Sequence, residues 1–137
     1  MRATALGQSA RAVDYSTAIG RDARAEFASS VSVGGATRAQ GANATVIGTD
    51  AAAAADASAL GKGAVAATNA VAMGMESFAS GVVFTSVGKQ AQAGGPGAVA
   101  IGLSSKANSF LSVAIGSGAE AGTFTNTALG ALSSATA

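Results

Sequence analysis

AVAIGLSSKANSFLSVAIGSGAEA, residues 98–121, holds two copies of one pattern: an aliphatic, a small residue and a second aliphatic, closed by glycine at Gly102 and again at Gly116. On both sides of this stretch a glycine preceded by a large aliphatic recurs, at Gly7, Gly20, Gly34, Gly48, Gly61, Gly74, Gly88, Gly102, Gly116 and Gly130, always 13 or 14 residues apart. The slot before each glycine holds Leu6, Ile19, Val33, Ile47, Leu60, Met73, Val87, Ile101, Ile115 or Leu129. Two residues earlier stand Thr4, Thr17, Val31, Thr45, Ser58, Val71, Thr85, Val99, Val113 and Thr127, nearly all β-branched. Between them the residue is small in all but one repeat.

This alternation has period two and is rich in β-branched residues, which is the pattern of a strand. After each glycine the third residue is Ala, Ser or Thr and the fifth is Ala in every repeat, giving a second short segment with strand spacing. A helical reading of alanine-rich stretches such as residues 51–55 fails, because the alternation leaves no coherent apolar stripe. Each repeat therefore predicts strand, glycine turn, strand, loop. Self-similarity at a fixed short period marks a solenoid whose turns pair with their neighbours. The predicted fold is all-β, a parallel β-roll of about ten 13–14-residue repeats.

Composition adds a constraint on assembly. Aromatic residues make up 4% of the 137, Trp is absent, and charged residues are 11%, against about 25% in ordinary soluble domains. A chain so poor in charge is expected to hide part of its surface against other copies. The net charge of +1, with no concentrated basic run, argues against nucleic acid as partner. The absence of Cys excludes disulfides and thiolate metal sites.

The large aliphatics Leu6, Ile19, Val33, Ile47, Leu60, Met73, Val87, Ile101, Ile115 and Leu129 are expected to form the repeat core, pointing inward against the alanines of the second strand. The small residues between them, Ala5, Ala18, Ala59, Ala72, Ala100, Ala114 and Ala128, are then expected on the outer face of the first strand, as an uncharged strip for contact with sister chains. No charged residue enters a first strand. Arg11, Arg24, Arg38 and Lys106 share one outward slot of the second strand and form the candidate ligand-facing surface. Consecutive turns stack the three arginines, where like charges oppose one another and a repeated stripe could dock an anionic or extended ligand. The alternative for this row is a solvated set of charges relieved by neighbours such as Asp22. Phe27, Val83, Phe110 and Phe124 lie in the loops and are expected to pack under them or against a neighbouring protomer.

The repeats SVAIG at 112–116, AVAIG at 98–102 and AVAMG at 70–74, each followed by an alanine-rich half, resemble the YadA-like head of trimeric autotransporter adhesins. The resemblance covers nearly the whole chain. It implies a left-handed single-stranded β-roll assembled as a parallel homotrimer. In that family a coiled-coil stalk and an outer-membrane barrel carry the head. Residues 1–137 are accordingly expected to be one head domain cut from a longer protein, without signal peptide, neck, stalk or membrane anchor. The implied function is adhesion to a host extracellular matrix protein, collagen-type ligands included, or to a cell-surface receptor. The implied location is the bacterial cell surface, with the outer membrane reached only through a C-terminal anchor. A spacer or self-associating segment is the alternative.

Catalysis is not expected. There is no His and no Cys to activate a nucleophile or bind a common metal, so no cofactor or metal is predicted. Gly-x-Gly-x-x-Ala at Gly61, Gly95 and Gly116 arises from the repeat, without the opening helix that a dinucleotide site requires. The acyltransferases built on hexapeptide repeats have another period and use a histidine.

Overall fold

The computed structural model of the chain describes residues 2–136. A three-residue strand and a two-residue strand alternate along it, from Thr4–Leu6 and Arg11–Ala12 to Thr127–Leu129 and Ser134–Ala135. The long strands form one 10-stranded sheet in chain order and the short strands form a second. All pairings are parallel with one repeat per step: Val99, Ala100 and Ile101 lie beside Val113, Ala114 and Ile115, and Ala107 beside Ala121. The chain is a β-solenoid, as the period predicts.

The corners between the sheets are laddered as well. The Gly116 N–H donates to the Ile101 carbonyl and the Gly118 N–H to the Leu103 carbonyl, each at 2.8 Å. Within the same corner the Ala119 N–H donates back to the Gly116 carbonyl at 3.2 Å. The repeat therefore satisfies backbone polar groups around the whole coil. The recurrent glycine is required by both conformation and space. At Gly61, φ is 136°, and a Cβ would stand 2.5 Å from the carbonyl oxygen of Gly74 in the next coil.

Two residues past that glycine the chain is left-handed, with φ of 59° at Asp22, 60° at Asp50 and 57° at Glu76. The opposite corner is left-handed too, at Asn43, Asp56 and Asn69, residue types that tolerate this region. In the coil after Asn69 the same position holds Val83 at φ 67°, where a β-branched side chain is strained. Val83 is mostly exposed, so little burial offsets the strain. Val83→Asn is expected to stabilise the roll by about 1 kcal/mol, read as a rise of roughly 3–4 °C in Tm by thermal denaturation. An unchanged or lower Tm would contradict this account of the corner.

The core consists of four columns of small side chains. In one coil these are Ala98, Ala100, Ser105 and Ala107, and in the next Ser112, Ala114, Ala119 and Ala121, all with no solvent exposure. Buried hydroxyls are satisfied locally: Ser105 Oγ donates to the Gly102 carbonyl at 3.0 Å, Ser86 Oγ to the Ala91 carbonyl at 2.7 Å, and Ser32 Oγ to Thr37 Oγ1 at 2.7 Å. Among the described residues no buried side-chain N or O lacks a partner. Among the described residues Phe84 is the one buried aromatic. Gly81 makes room for it, since a Cβ there would meet the Phe84 ring at 2.1 Å.

This corrects the inside-outside assignment of the first strand. Ala18, Ala59, Ala72, Ala100, Ala114 and Ala128 are buried inside the roll and cannot contact a sister chain, while Ala5 in the first coil is exposed in the same column. Leu6, Ile19, Val33, Ile47, Leu60, Met73, Val87, Ile101, Ile115 and Leu129 point outward and are not the core. Ile19, Ile47, Met73 and Ile101 are exposed by 36–43%. Val33, Leu60, Val87 and Ile115 are half-buried and the terminal Leu6 and Leu129 more open. The physical reason is sheet separation. Ordinary stacked sheets lie about 10 Å apart and hold large side chains between them. Here corners of a few residues hold the two sheets of one coil close together, and the space between them admits Ala and Ser but not opposed Ile or Leu.

Candidate functional site

The roll presents two outward faces, one uncharged throughout and one carrying charges at its early and late coils. On the long-strand sheet, the columns Thr17, Val31, Thr45 and onward, and Ile19, Val33, Ile47 and onward, run side by side over the stack without a charged residue. With strands about 4.8 Å apart, this strip is roughly 45 Å long and two side chains wide. Its projected area, on the order of 450 Å², matches the largest patch of a typical monomer, which is often functional.

On the short-strand sheet, each strand alternates an outward residue with a buried alanine, as in Arg24–Ala25, Arg38–Ala39 and Lys106–Ala107. The pairing brings Arg11 beside Arg24 and Arg24 beside Arg38. Lys106 is not part of this group. Ala52, Val65, Phe78 and Gln92 stand between it and Arg38 in the same column, and its ladder neighbours are Gln92 and Glu120. Five strand spacings put Lys106 about 24 Å away.

The arginines differ in what they meet. Arg11 Nη1 lies 3.4 Å from Glu26 Oε1, whereas Asp22, expected to relieve the row, pairs with its own neighbour Arg21 at 3.6 Å. Arg24 and Arg38 make no ion pair among the described residues. They flank a recess of about 400 Å³ lined also by Glu26, Phe27, Ala39 and Gln40. Phe27 is about half exposed on its wall rather than packed under the loop. Sequence spacing identifies the arginine stack but not Glu26, Phe27 or Gln40, because their positions depend on how the loop after Ala25 folds back.

A third feature is an apolar loop edge in the later coils. The Phe110 and Phe124 rings stack at 4.8 Å with an interplanar angle of 15°; Leu111 is exposed beside Phe110, and Val82 and Val83 are exposed on the corresponding loop two coils before it. Among the described residues no three His, Cys, Asp or Glu gather into a group able to hold a metal ion.

Comparison with known proteins agrees with this geometry. The YadA head domain repeat matches residues 14–37, 28–51 and 85–105. Among solved structures, the crystal structure of the collagen-binding domain of the Yersinia adhesin YadA superposes with a TM-score of 0.74 at 25% sequence identity. The match covers 80% of this chain and 62% of that one. No curated protein matches the sequence.

Proposed function

We propose, from the premise that this chain is a YadA-like head domain and hence an adhesin-type module, that it forms a parallel homotrimer on the outer surface of a bacterial outer membrane and binds host extracellular matrix or a cell-surface receptor. The observation that carries the proposal is the division of labour between the two sheets. The uncharged aliphatic strip of the long-strand sheet, with Ile19, Ile47, Met73 and Ile101 left partly open in a single chain, is suited to closing three identical copies around a common axis. The short-strand sheet then faces outward with Arg11, Arg24, Arg38 and Lys106 available to ligand. Three copies of each contact multiply weak affinities without new interactions. The YadA neighbour is named for binding collagen, so a collagen-type matrix is the first ligand to test.

In the test, beads coated with the purified head are washed over collagen-coated, cell-coated and albumin-coated surfaces. Retention on collagen or cells well above albumin is the expected result, and equal retention on all three would overturn host binding. The exposed Phe110–Phe124 edge favours a second reading, self-association between heads. In that case the beads clump with one another and show no surface preference.

A further inference from the structure

We infer that the recess between Arg24 and Arg38 is a binding site for the carboxylate of an acidic residue in an extended peptide, whose apolar neighbour rests on Phe27. The inference rests on the adhesive reading above and names the chemistry that one of its surfaces would recognise.

The starting point is an unrelieved juxtaposition. Arg24 and Arg38 are direct ladder partners, so their backbones run about 4.8 Å apart with both side chains on the outer face. Like charges directly opposite in a sheet oppose one another. Glu26 answers Arg11, and no carboxylate of the described residues answers the other two. An anion held between them relieves both. Two guanidinium groups present planar forks of donors, the geometry that a carboxylate accepts in bidentate fashion.

The walls narrow the ligand further. Phe27 supplies an aromatic surface beside the cations, and Gln40 supplies an amide that both donates and accepts, as a peptide backbone requires. A volume of about 400 Å³ is near the lower end for ligand sites and accommodates one or two side chains. A continuous polyanion fits poorly. The basic column ends at Arg38, with Ala52, Val65 and Phe78 following it. Glu26 on the rim of the recess would repel the next charge of a sulfated chain. A single carboxylate flanked by uncharged residues needs no further basic side chain along the column and brings no second charge to Glu26.

The test uses the purified protein in its native assembly. It is titrated with acetyl-Gly-Glu-Leu-Gly-amide and with the Gln analogue of that peptide, and followed by NMR at the arginine Nε–H groups and the backbone amides of residues 24–27 and 38–40. The expected result is saturable shifts confined to those residues with the Glu peptide, and about two- to fivefold weaker binding of the Gln peptide. The double variant R24Q/R38Q, with its Tm held at the parent value, is expected to lose the shifts. Equal binding of the two peptides, or shifts elsewhere on the roll, would overturn the site. Tighter binding of a heparin-derived sulfated tetrasaccharide at the same residues would overturn the peptide assignment in favour of a glycan. Matrix adhesion separates this inference from its premise. If R24Q/R38Q beads still adhere, the adhesive reading stands and the recess is not its contact. If parent beads fail to adhere while the Glu peptide binds, the recess stands and the matrix reading falls.

Discussion

Gly74→Ala is expected to cost the roll about 2–6 kcal/mol, combining a backbone conformation reserved for glycine with a forced steric shift. Gly74 has φ 126°, and a Cβ there would lie 2.6 Å from both the carbonyl carbon and the carbonyl oxygen of Gly88. The obstacle is backbone, so no rotamer change clears it. Because each coil of a solenoid is held mainly by its neighbours, a break in the middle of the stack separates two short halves rather than loosening one residue. At its upper end the loss approaches the lower end of the roughly 5–15 kcal/mol by which folded domains are stable. It is read as a Tm lowered by roughly 10–25 °C in thermal denaturation followed by circular dichroism. Gly63→Ala is the control. Gly63 is also left-handed, at φ 65°, but a Cβ there would meet only the Glu76 side chain, at 3.7 Å. Its cost should stay near 1–2 kcal/mol, the conformational part alone. Equal, small losses for the two variants would mean that the glycine column is not the close approach on which stacking depends.

The second large effect concerns association. The double variant Ile47→Asp/Ile101→Asp is expected to leave each roll folded and to abolish its assembly. Both side chains project from the long-strand sheet and are partly open in the single chain, so aspartate there is solvated in the monomer. In the proposed trimer the same positions would bury six carboxylates around one axis. An unpaired buried charge costs several kcal/mol, and removing one partner from a paired set 3–5 kcal/mol, so assembly cannot survive six of them. The complementary variant Ala100→Leu should behave in the opposite way. Ala100 has no exposure and faces the space between the two sheets, where extra methylenes cost roughly 1–3 kcal/mol or more. It should therefore damage the fold itself. If the bulky residues pointed inward, Ile47→Asp/Ile101→Asp would unfold the roll and Ala100→Leu would be tolerated.

Much of the architecture is legible in the amino-acid sequence itself. The 13- or 14-residue return of glycine sets the number of coils, the alternation at Val99–Ala100–Ile101 identifies strands, and the common slot of Arg24 and Arg38 places them side by side. Which side faces inward is harder. Alternation says that Val99 and Ile101 share one face and Ala100 lies on the other, but either face could be the core. The rule that large apolar residues are buried decides wrongly here because it presumes an ordinary distance between sheets. The deciding information is spread over the whole coil. Ala98 and Ala100 before the glycine, and Ser105 and Ala107 after it, are all small, so a single set of four inward positions with tiny side chains runs through both strands. That set leaves the aliphatics outside. The recess is less legible still. Glu26 could answer any of several nearby arginines by sequence distance, and only the loop conformation sends it to Arg11 and leaves Arg24 and Arg38 unpaired.

In the proposed trimer the outward aliphatic columns hold sister rolls together, while the small interior holds each roll by itself. Sedimentation equilibrium of the parent chain and of Ile47→Asp/Ile101→Asp, with circular dichroism on the same samples, separates these two roles. The parent is expected at three times the 12.8 kDa chain mass, and the variant as a β-rich species of single-chain mass. A parent that sediments as a monomer, or a variant that loses its β spectrum, would contradict that division of roles.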